Sequence, residues 1–530
     1  HHPDRLKKPL MRTGKKGSND FKEIKWEQAL DIVAENFIST AQKHGTESIW
    51  PYFYAGTMGL VQRDGINRLR HTMKYSGQHS TICSTITASG FRAGVGTLKG
   101  PDPREMALAD VILVWGCNPA STQVNVMKHI QKARKDRNAK LIVVDPYKTR
   151  SAKVADFHYP IKPGTDGALA CSIMHILFRD NYADKKYMDK YTDDPKGLEE
   201  HVKKYTPEWG SKITGLSLRE IEEFAKIFGT TKRLYSRMGY GFTRQRNGAS
   251  AMHAAVSLSA VCGKWQYEGG GAFYNNGDIY NIDKTLIEGL DLIDQNIRIL
   301  DQSRIGSILT GDRNALMGGG NVHSLIIQNT NPLVVAPESL LVREGFSRED
   351  LFVCVHEQFM TETAKYADIV LPATTFVEHD DLYIAGGHQH IIFGPKLIEP
   401  IGESRSNHKV LLELSKRLGA EHKGFNMTER EIIDVTLKSS NHGSLADLEK
   451  NGWKDVQPDF NTSHFINGFG HKDKKFHFKP DWSEVGPDYH NMPEYPDYMN
   501  TTENTSKDFP FKLVTAPAHN YLNSSFTETS

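Results

Sequence analysis

Long apolar runs are missing from this sequence. No stretch approaches the ~20 consecutive apolar residues of a membrane helix, so no membrane span is expected in this chain. Cysteine is scarce. Cys83, Cys117, Cys171, Cys262 and Cys354 are scattered over 530 residues, and none has the close spacing of a zinc or iron–sulfur site. An odd, scattered set argues against a disulfide framework and suits a reducing compartment. An excess of either charge is missing too: 65 Lys and Arg stand against 64 Asp and Glu, which argues against nucleic acid as a partner. The start carries no signal-peptide pattern, so the expected location is cytoplasmic, or periplasmic if a leader lies upstream of His1. Apolar residues at 38% and charged residues at 24% mark an ordinary globular chain, and its length calls for several domains.

What is there is organised around Ala109 to Asp166. The text Val111-Ile112-Leu113-Val114-Trp115 and the text Leu141-Ile142-Val143-Val144 are short apolar runs flanking an amphipathic segment. That pattern is a buried parallel strand, a crossover helix and a second parallel strand. Ligands of such sheets sit outside the carboxyl ends of the strands. Gly116 lets a phosphate approach the backbone, and the helix that follows offers free N–H groups. Asp145, closing the second strand, suits a ribose or a base edge. The residues therefore describe a nucleotide crevice. No G-x-G-x-x-G follows the first strand, which disfavours an NAD-dependent dehydrogenase.

The second half repeats this grammar. Ser324 to Pro332 matches the strand ending in Asn118-Pro119, Leu351 to Glu357 matches Leu141 to Pro146, and Ala367-Asp368 to Pro372 matches Ala155-Asp156 to Pro160. The offsets agree to about one residue. The predicted fold class is α/β, with two doubly wound Rossmann-like units related by an internal pseudo-repeat. Around them stand an irregular, basic, solvated start (Arg5, Lys7, Lys8, Arg12, Lys15, Lys16), a helix over 61–75, short surface helices over 186–230 and a buried helix over 249–262. A surface segment follows at 453–500 with one strand at 475–478, and a new β-rich domain starts with a strand at 511–516.

These motifs, with Pro3-Asp4-Arg5-Leu6, Pro9-Leu10 and Arg12 before them, resemble a known family. Gly116-Cys117-Asn118-Pro119, Asp145-Pro146-Tyr147-Lys148-Thr149, Pro163-Gly164-Thr165-Asp166, Asn331-Pro332 and Thr361-Glu362-Thr363 follow in its order. The family is that of the molybdopterin oxidoreductase catalytic subunits, which includes dimethyl sulfoxide reductase, formate dehydrogenase and the periplasmic nitrate reductases. The resemblance covers nearly the whole chain. It implies two molybdopterin guanine dinucleotides around one molybdenum or tungsten. Gly116 and Asn118 would line the phosphates of one dinucleotide, and Asp145, Thr149 and Asp166 would hold its ribose and guanine. Met238, Gly239 and Gly241 would pass the pterins. Gln328, Asn329, Asn331, His356, Glu357 and Thr361 would serve the other dinucleotide. Cys83 falls at the protein ligand of the metal, where a soft thiolate suits the chemistry. The remaining four cysteines would be packing residues.

The resemblance also fixes an expected layout. Residues 1–27 would be the remnant of an N-terminal iron–sulfur-side domain, and 83–284 the first crevice unit. Residues 28–82 with 285–450 would form the second unit. A wrapping segment would cover 451–505, and 506–530 would begin the domain that closes over the pterins, with His519 and Asn523 as contacts. A 4Fe–4S cluster is expected only upstream of His1 or on an iron–sulfur partner subunit. Formate dehydrogenases carry His after the metal ligand, and Ser84 here counts against formate. The loop His379-Asp380-Asp381 to Gly386-Gly387-His388-Gln389-His390 reads as a pterin-side or surface loop rather than a separate metal site, because no ligand spacing matches a known cage. The expected function is two-electron or oxygen-atom redox chemistry on a small substrate. The alternative is a non-catalytic scaffold or electron-transfer subunit that keeps the fold, as in respiratory complex I; Cys83 and two intact crevices favour the enzyme.

Overall fold

Five buried residues in a row, Val111–Trp115, form the middle strand of a five-stranded sheet. The structure is a computed structural model and describes residues 2–486, 489–501, 503–516, 518 and 520–527. The sheet runs Phe157–Tyr159, Lys140–Val144, Val111–Trp115, Leu234–Met238, Gly271–Phe273, with every pairing parallel. Its order reverses between Val111–Trp115 and Leu234–Met238, as in doubly wound folds. Successive side chains feed two cores. Leu113, Trp115, Ile142 and Val144 pack with the helices Asp166–Arg179 and Gly248–Val261, whereas Ile112, Val114, Leu141 and Val143 pack on the opposite face. Burial on both faces is why these strands read as unbroken apolar runs.

The second sheet runs Phe21–Glu23, Leu10–Arg12, Ile369–Pro372, Phe352–Glu357, Ser324–Gln328, Ile49–Phe53. Its last four strands are parallel and its first two join antiparallel. Ile49–Phe53, from far upstream, takes the place that Leu234–Met238 has in the first sheet, so the reversal falls beside Ser324–Gln328. The chain then crosses between units in a few residues. Strand Gly77–His79 pairs with Ile299–Asp301, and Gln78 bonds the backbone of Phe53 at the end of the second sheet. After a short loop, helix Thr85–Val95 buries Phe91 and Val95 in the first unit's core.

Several expectations are corrected. The basic start is a solvated face only in part: Lys7, Lys8 and Lys15 are exposed, but the rest is built into the second unit. Leu10–Arg12 extends the second sheet, Arg12 and Lys16 reach Asp368 at 2.6 and 3.0 Å, and Arg5 reaches Glu378 at 2.9 Å. The helix over 61–75 is two, Leu60–Asp64 and Ile66–Met73, divided at Gly65. Residues 475–478 form no strand. Phe476 makes a single bridge to Thr192, because the chain beside it is the end of helix Lys185–Tyr191. The wrapping segment is largely exposed or half-buried along its length, and Phe465, Phe469, Phe476 and Phe478 pin it into the first core. Residues 511–516 are not a strand: Phe511 is 91% exposed, and no strand lies beside it among the described residues. The histidine-rich loop is a hairpin, Asp381–Tyr383 with His390–Gly394, joined by Trp453–Asp455.

Candidate cofactor site

At both reversal points the central strand ends in a left-handed residue, Gly116 at φ 66° and Asn329 at φ 60°. Asn is the non-glycine residue that best tolerates this region. Each carbonyl there accepts a bond from the facing strand's end: Gly241 N donates to Gly116 O at 2.6 Å, and Gly56 N donates to Asn329 O at 2.7 Å. A Cβ on Gly241 would lie 2.6 Å from Gly116 O, and one on Gly56 2.5 Å from Asn329 O. Only glycine lets these strand ends meet. Met238 closes its strand inside the core, and Gly239 N donates to Trp115 O at 2.8 Å. The helices after the two Asn-Pro pairs, Pro119–Thr122 and Pro332–Val335, are one turn long, so the cradle is strand-end backbone rather than the expected helix N-terminus.

The repeated side chains make the same bonds in both units. Asn118 Oδ1 accepts from Ser151 N and Oγ at 3.2 and 2.7 Å, and Asn331 Oδ1 accepts from Thr363 N and Oγ1 at 3.2 and 2.6 Å. Thr149 and Thr361 cap the next turn through Ala152 N and Ala364 N. Asp156 and Asp368 accept from Leu141 N and Val353 N at 2.9 and 2.8 Å. The Asn-Pro and Ala-Asp motifs are thus clasps between consecutive crossovers. Both asparagine oxygens are committed to the chain, which leaves the neighbouring backbone to face a phosphate.

The carboxylates differ between units. Burial, with the Asp166 carboxylate nearby, pushes Asp145 up to about 6. Burial raises Asp166 as well, although Trp115 Nε1 donates to its Oδ1 at 2.7 Å. The first crevice therefore holds two acids short of donors. In the second, Glu357 takes the place of Asp145 and accepts from Gln358 N at 2.7 Å. Glu378, at the spacing of Asp166, is closed off by Arg5, Thr375 N and Ile401 N. His356 is buried and does not offer a nitrogen to a ligand. Its Nε2 donates to Arg405 O at 3.1 Å and its Nδ1 accepts from Gln328 Nε2 at 3.1 Å; burial lowers it to about 4, so it is neutral. It positions Gln328, whose buried Oε1 has no partner, next to Asn329, whose buried Nδ2 has none. Buried polar atoms of this kind require a partner, and a nucleotide at the strand ends would supply one.

Cys83 lies in the crossing loop between the units. It is exposed and held at φ 78°. Tyr54, just past strand Ile49–Phe53, donates to Ile82 O at 2.8 Å; burial first, and the adjacent Cys83 sulfur second, raise its hydroxyl. Tyr240, just past Leu234–Met238, also feels the Cys83 sulfur. The same thiol thus neighbours the switch points of both sheets. Burial keeps the thiols of Cys117, Cys171, Cys262 and Cys354 high, in keeping with packing roles. Asn523 is exposed in a turn closed by Leu522 and Ser525 and bonds neither crevice; His519 lies outside the described residues. No cluster of three or more metal-ligating side chains occurs among the described residues, the histidine-rich hairpin included. Sequence reasoning missed Tyr54 and the role of Gly56. The signal was available: a glycine stands three residues past each strand, in Tyr54-Ala55-Gly56 and Gly239-Tyr240-Gly241.

Two doubly wound units facing one exposed thiol define a class. The chain belongs to the molybdopterin oxidoreductase family, whose pattern matches residues 5–417. YoaE of Bacillus subtilis is 35% identical over 99% of this chain and 76% of its own length. A formate dehydrogenase alpha subunit of Methanocaldococcus jannaschii is 28% identical over 97% of this chain and 76% of its own length. Dimethyl sulfoxide reductase DmsA of Escherichia coli is 28% identical over 79% of this chain, which spans 57% of that protein. The fold is also that of acetylene hydratase from Pelobacter acetylenicus, with a TM-score of 0.78, 20% identity and coverage of 96% of this chain and 73% of the other. No helix among the described residues is long and apolar enough to cross a membrane.

Proposed function

We propose that this chain holds a molybdenum or tungsten bis-molybdopterin guanine dinucleotide centre. It would perform two-electron or oxygen-atom-transfer chemistry on a small substrate, with Cys83 as protein ligand to the metal. The observation that carries the reading is the meeting of two switch-point crevices at the Cys83 loop. The bound group supplies the redox chemistry. The chain's residues position it. Gly116, Gly239 and Gly241 bring backbone close to one dinucleotide, and Gly56 and Asn329 do so for the other. Asp145 and Asp166 would accept guanine N–H and ribose O–H groups, which favours their charged forms. Gln328 Oε1 and Asn329 Nδ2 would bond the second dinucleotide. Cys83 would bind as the thiolate. An iron–sulfur protein would exchange electrons with the centre; the "subunit alpha" description of one relative supports a multisubunit arrangement. The proposed location is the cytoplasm, with the periplasm as the alternative.

Metal analysis with fluorescence of acid-released, oxidised pterin tests the reading, on protein from a host that makes the cofactor. One Mo or W and two pterins per chain are expected. No metal and no pterin would leave the scaffold reading in its place.

A further inference from the structure

The loop that presents Cys83 is held by bonds that no sequence motif announces. Cys83 sits in the left-handed region at φ 78°, a conformation that a non-glycine residue keeps only when its surroundings impose it. Each neighbour in the loop is tied. Thr85 Oγ1 donates to Ser80 O at 2.7 Å, Tyr54 Oη to Ile82 O at 2.8 Å, and Tyr274 Oη to Ser84 O at 3.2 Å. These three ties act on backbone carbonyls. The fourth joins two side chains: Thr81 Oγ1 donates a hydrogen bond to Asp301 Oδ1. Asp301 belongs to a different part of the chain. It ends strand Ile299–Asp301, pairs with His79 in register, and is itself fixed by Ser303 N and Oγ, both at 2.8 Å. Ser303 N also reaches Thr81 Oγ1 at 3.3 Å. A charge-assisted bond of this kind is among the stronger and more directional side-chain contacts.

We propose that Asp301, acting through the Thr81 hydroxyl, is a positioning residue that holds the Cys83 sulfur where the metal takes it. Neither residue touches the metal. Asp301 anchors the loop to the second unit while helix Thr85–Val95 anchors its other end in the first. The thiol is thereby fixed relative to both crevices at once. This rests on Cys83 being the metal ligand, and the experiment separates the two claims.

X-ray absorption at the Mo or W edge of the loaded enzyme counts the sulfur atoms around the metal. Cys83→Ser is expected to lower that count by one. If it does not, the ligand assignment fails and the positioning role falls with it. Given that loss, Thr81→Val is expected to retain metal and pterin at the wild-type stoichiometry, yet to shift its spectrum toward that of Cys83→Ser. Thr81→Ser, which keeps the hydroxyl, is expected to restore the wild-type spectrum. Asp301→Ala provides the second route to the same shift. Melting temperature is followed for every variant. A purely structural role would lower it in both loop variants without moving the sulfur count of the folded fraction. Wild-type sulfur counts in Thr81→Val and Asp301→Ala overturn the proposal while leaving Cys83 as ligand.

Discussion

Replacing Asn331 by Ala should loosen the second unit more than replacing Asn118 by Ala loosens the first. Each asparagine oxygen accepts two bonds of nearly identical length, one from a backbone N–H and one from a hydroxyl. Burial separates them. Asn331 is 7% exposed whereas Asn118 is half-buried, so water can enter the place that Asn118 vacates, although the donors Thr363 and Ser151 are both fully buried. Each lost bond costs about 1 kcal/mol, and a buried donor left without a partner adds about 1–3 kcal/mol. Asn331→Ala should therefore cost about 3–5 kcal/mol, and Asn118→Ala, where water can replace the amide, about 1–2 kcal/mol. A chain with several cores need not unfold in one step, so the assay should be local. Hydrogen exchange of the pterin-free protein, read by mass spectrometry on peptides spanning Thr363 and Ser151, reports each clasp separately. Exchange around Thr363 should accelerate by roughly a hundredfold or more in Asn331→Ala, and around Ser151 by roughly tenfold in Asn118→Ala. Equal effects, or none without cofactor, would refute the argument. They would mean that the asparagines act on a ligand rather than on the chain.

Arg5→Met leaves Glu378 buried without its cation and should cost about 3–5 kcal/mol, read as a lower melting temperature that Glu378→Gln in the same chain partly restores. Asp145 has a folded pKa of about 6, above the unfolded value near 4, so the folded state holds its proton over that interval. Stability of the pterin-free protein should then fall as pH rises from about 4 through about 6, by at most about 3 kcal/mol, and level off above; thermal melts of Asp145→Asn should lack that decline and lie above wild type at neutral pH. Gly241→Ala and Gly56→Ala place a Cβ 2.6 and 2.5 Å from the facing carbonyl, so each should splay one crevice. Guanine nucleotide released by acid should drop from two to one per chain in either variant, and retention of both would show that the strand ends have room to move.

The paired crevices were legible because they depend on local text. Val111–Trp115 and Ser324–Gln328 are buried on both faces, so their runs carry no polar interruptions. The Asn-Pro and Ala-Asp pairs recur because each clasp joins neighbouring segments of one unit, no more than 33 positions apart, where sequence distance and spatial distance agree. What those residues do was less legible. The resemblance assigned Asn118, Asn331 and His356 to a ligand, yet both asparagine oxygens and both His356 ring nitrogens bond the chain itself. A strand end carries both ligand-facing and chain-facing groups, and the sequence does not say which way a side chain turns.

The family resemblance singled out Cys83, whereas the sequence by itself determined two doubly wound α/β units and the repeat spacing they share. Periodicity and repeat spacing suffice for that, because they are imprinted by hydrogen bonding and burial over short stretches. Tertiary structure alone decided the contacts between distant segments. It brought Ile49–Phe53 beside Ser324–Gln328, closed Glu378 with Arg5 so that only the first crevice keeps two acids short of donors, and set Asp301 against the loop of Cys83. Such pairings join residues more than two hundred positions apart, where no local propensity records the partner.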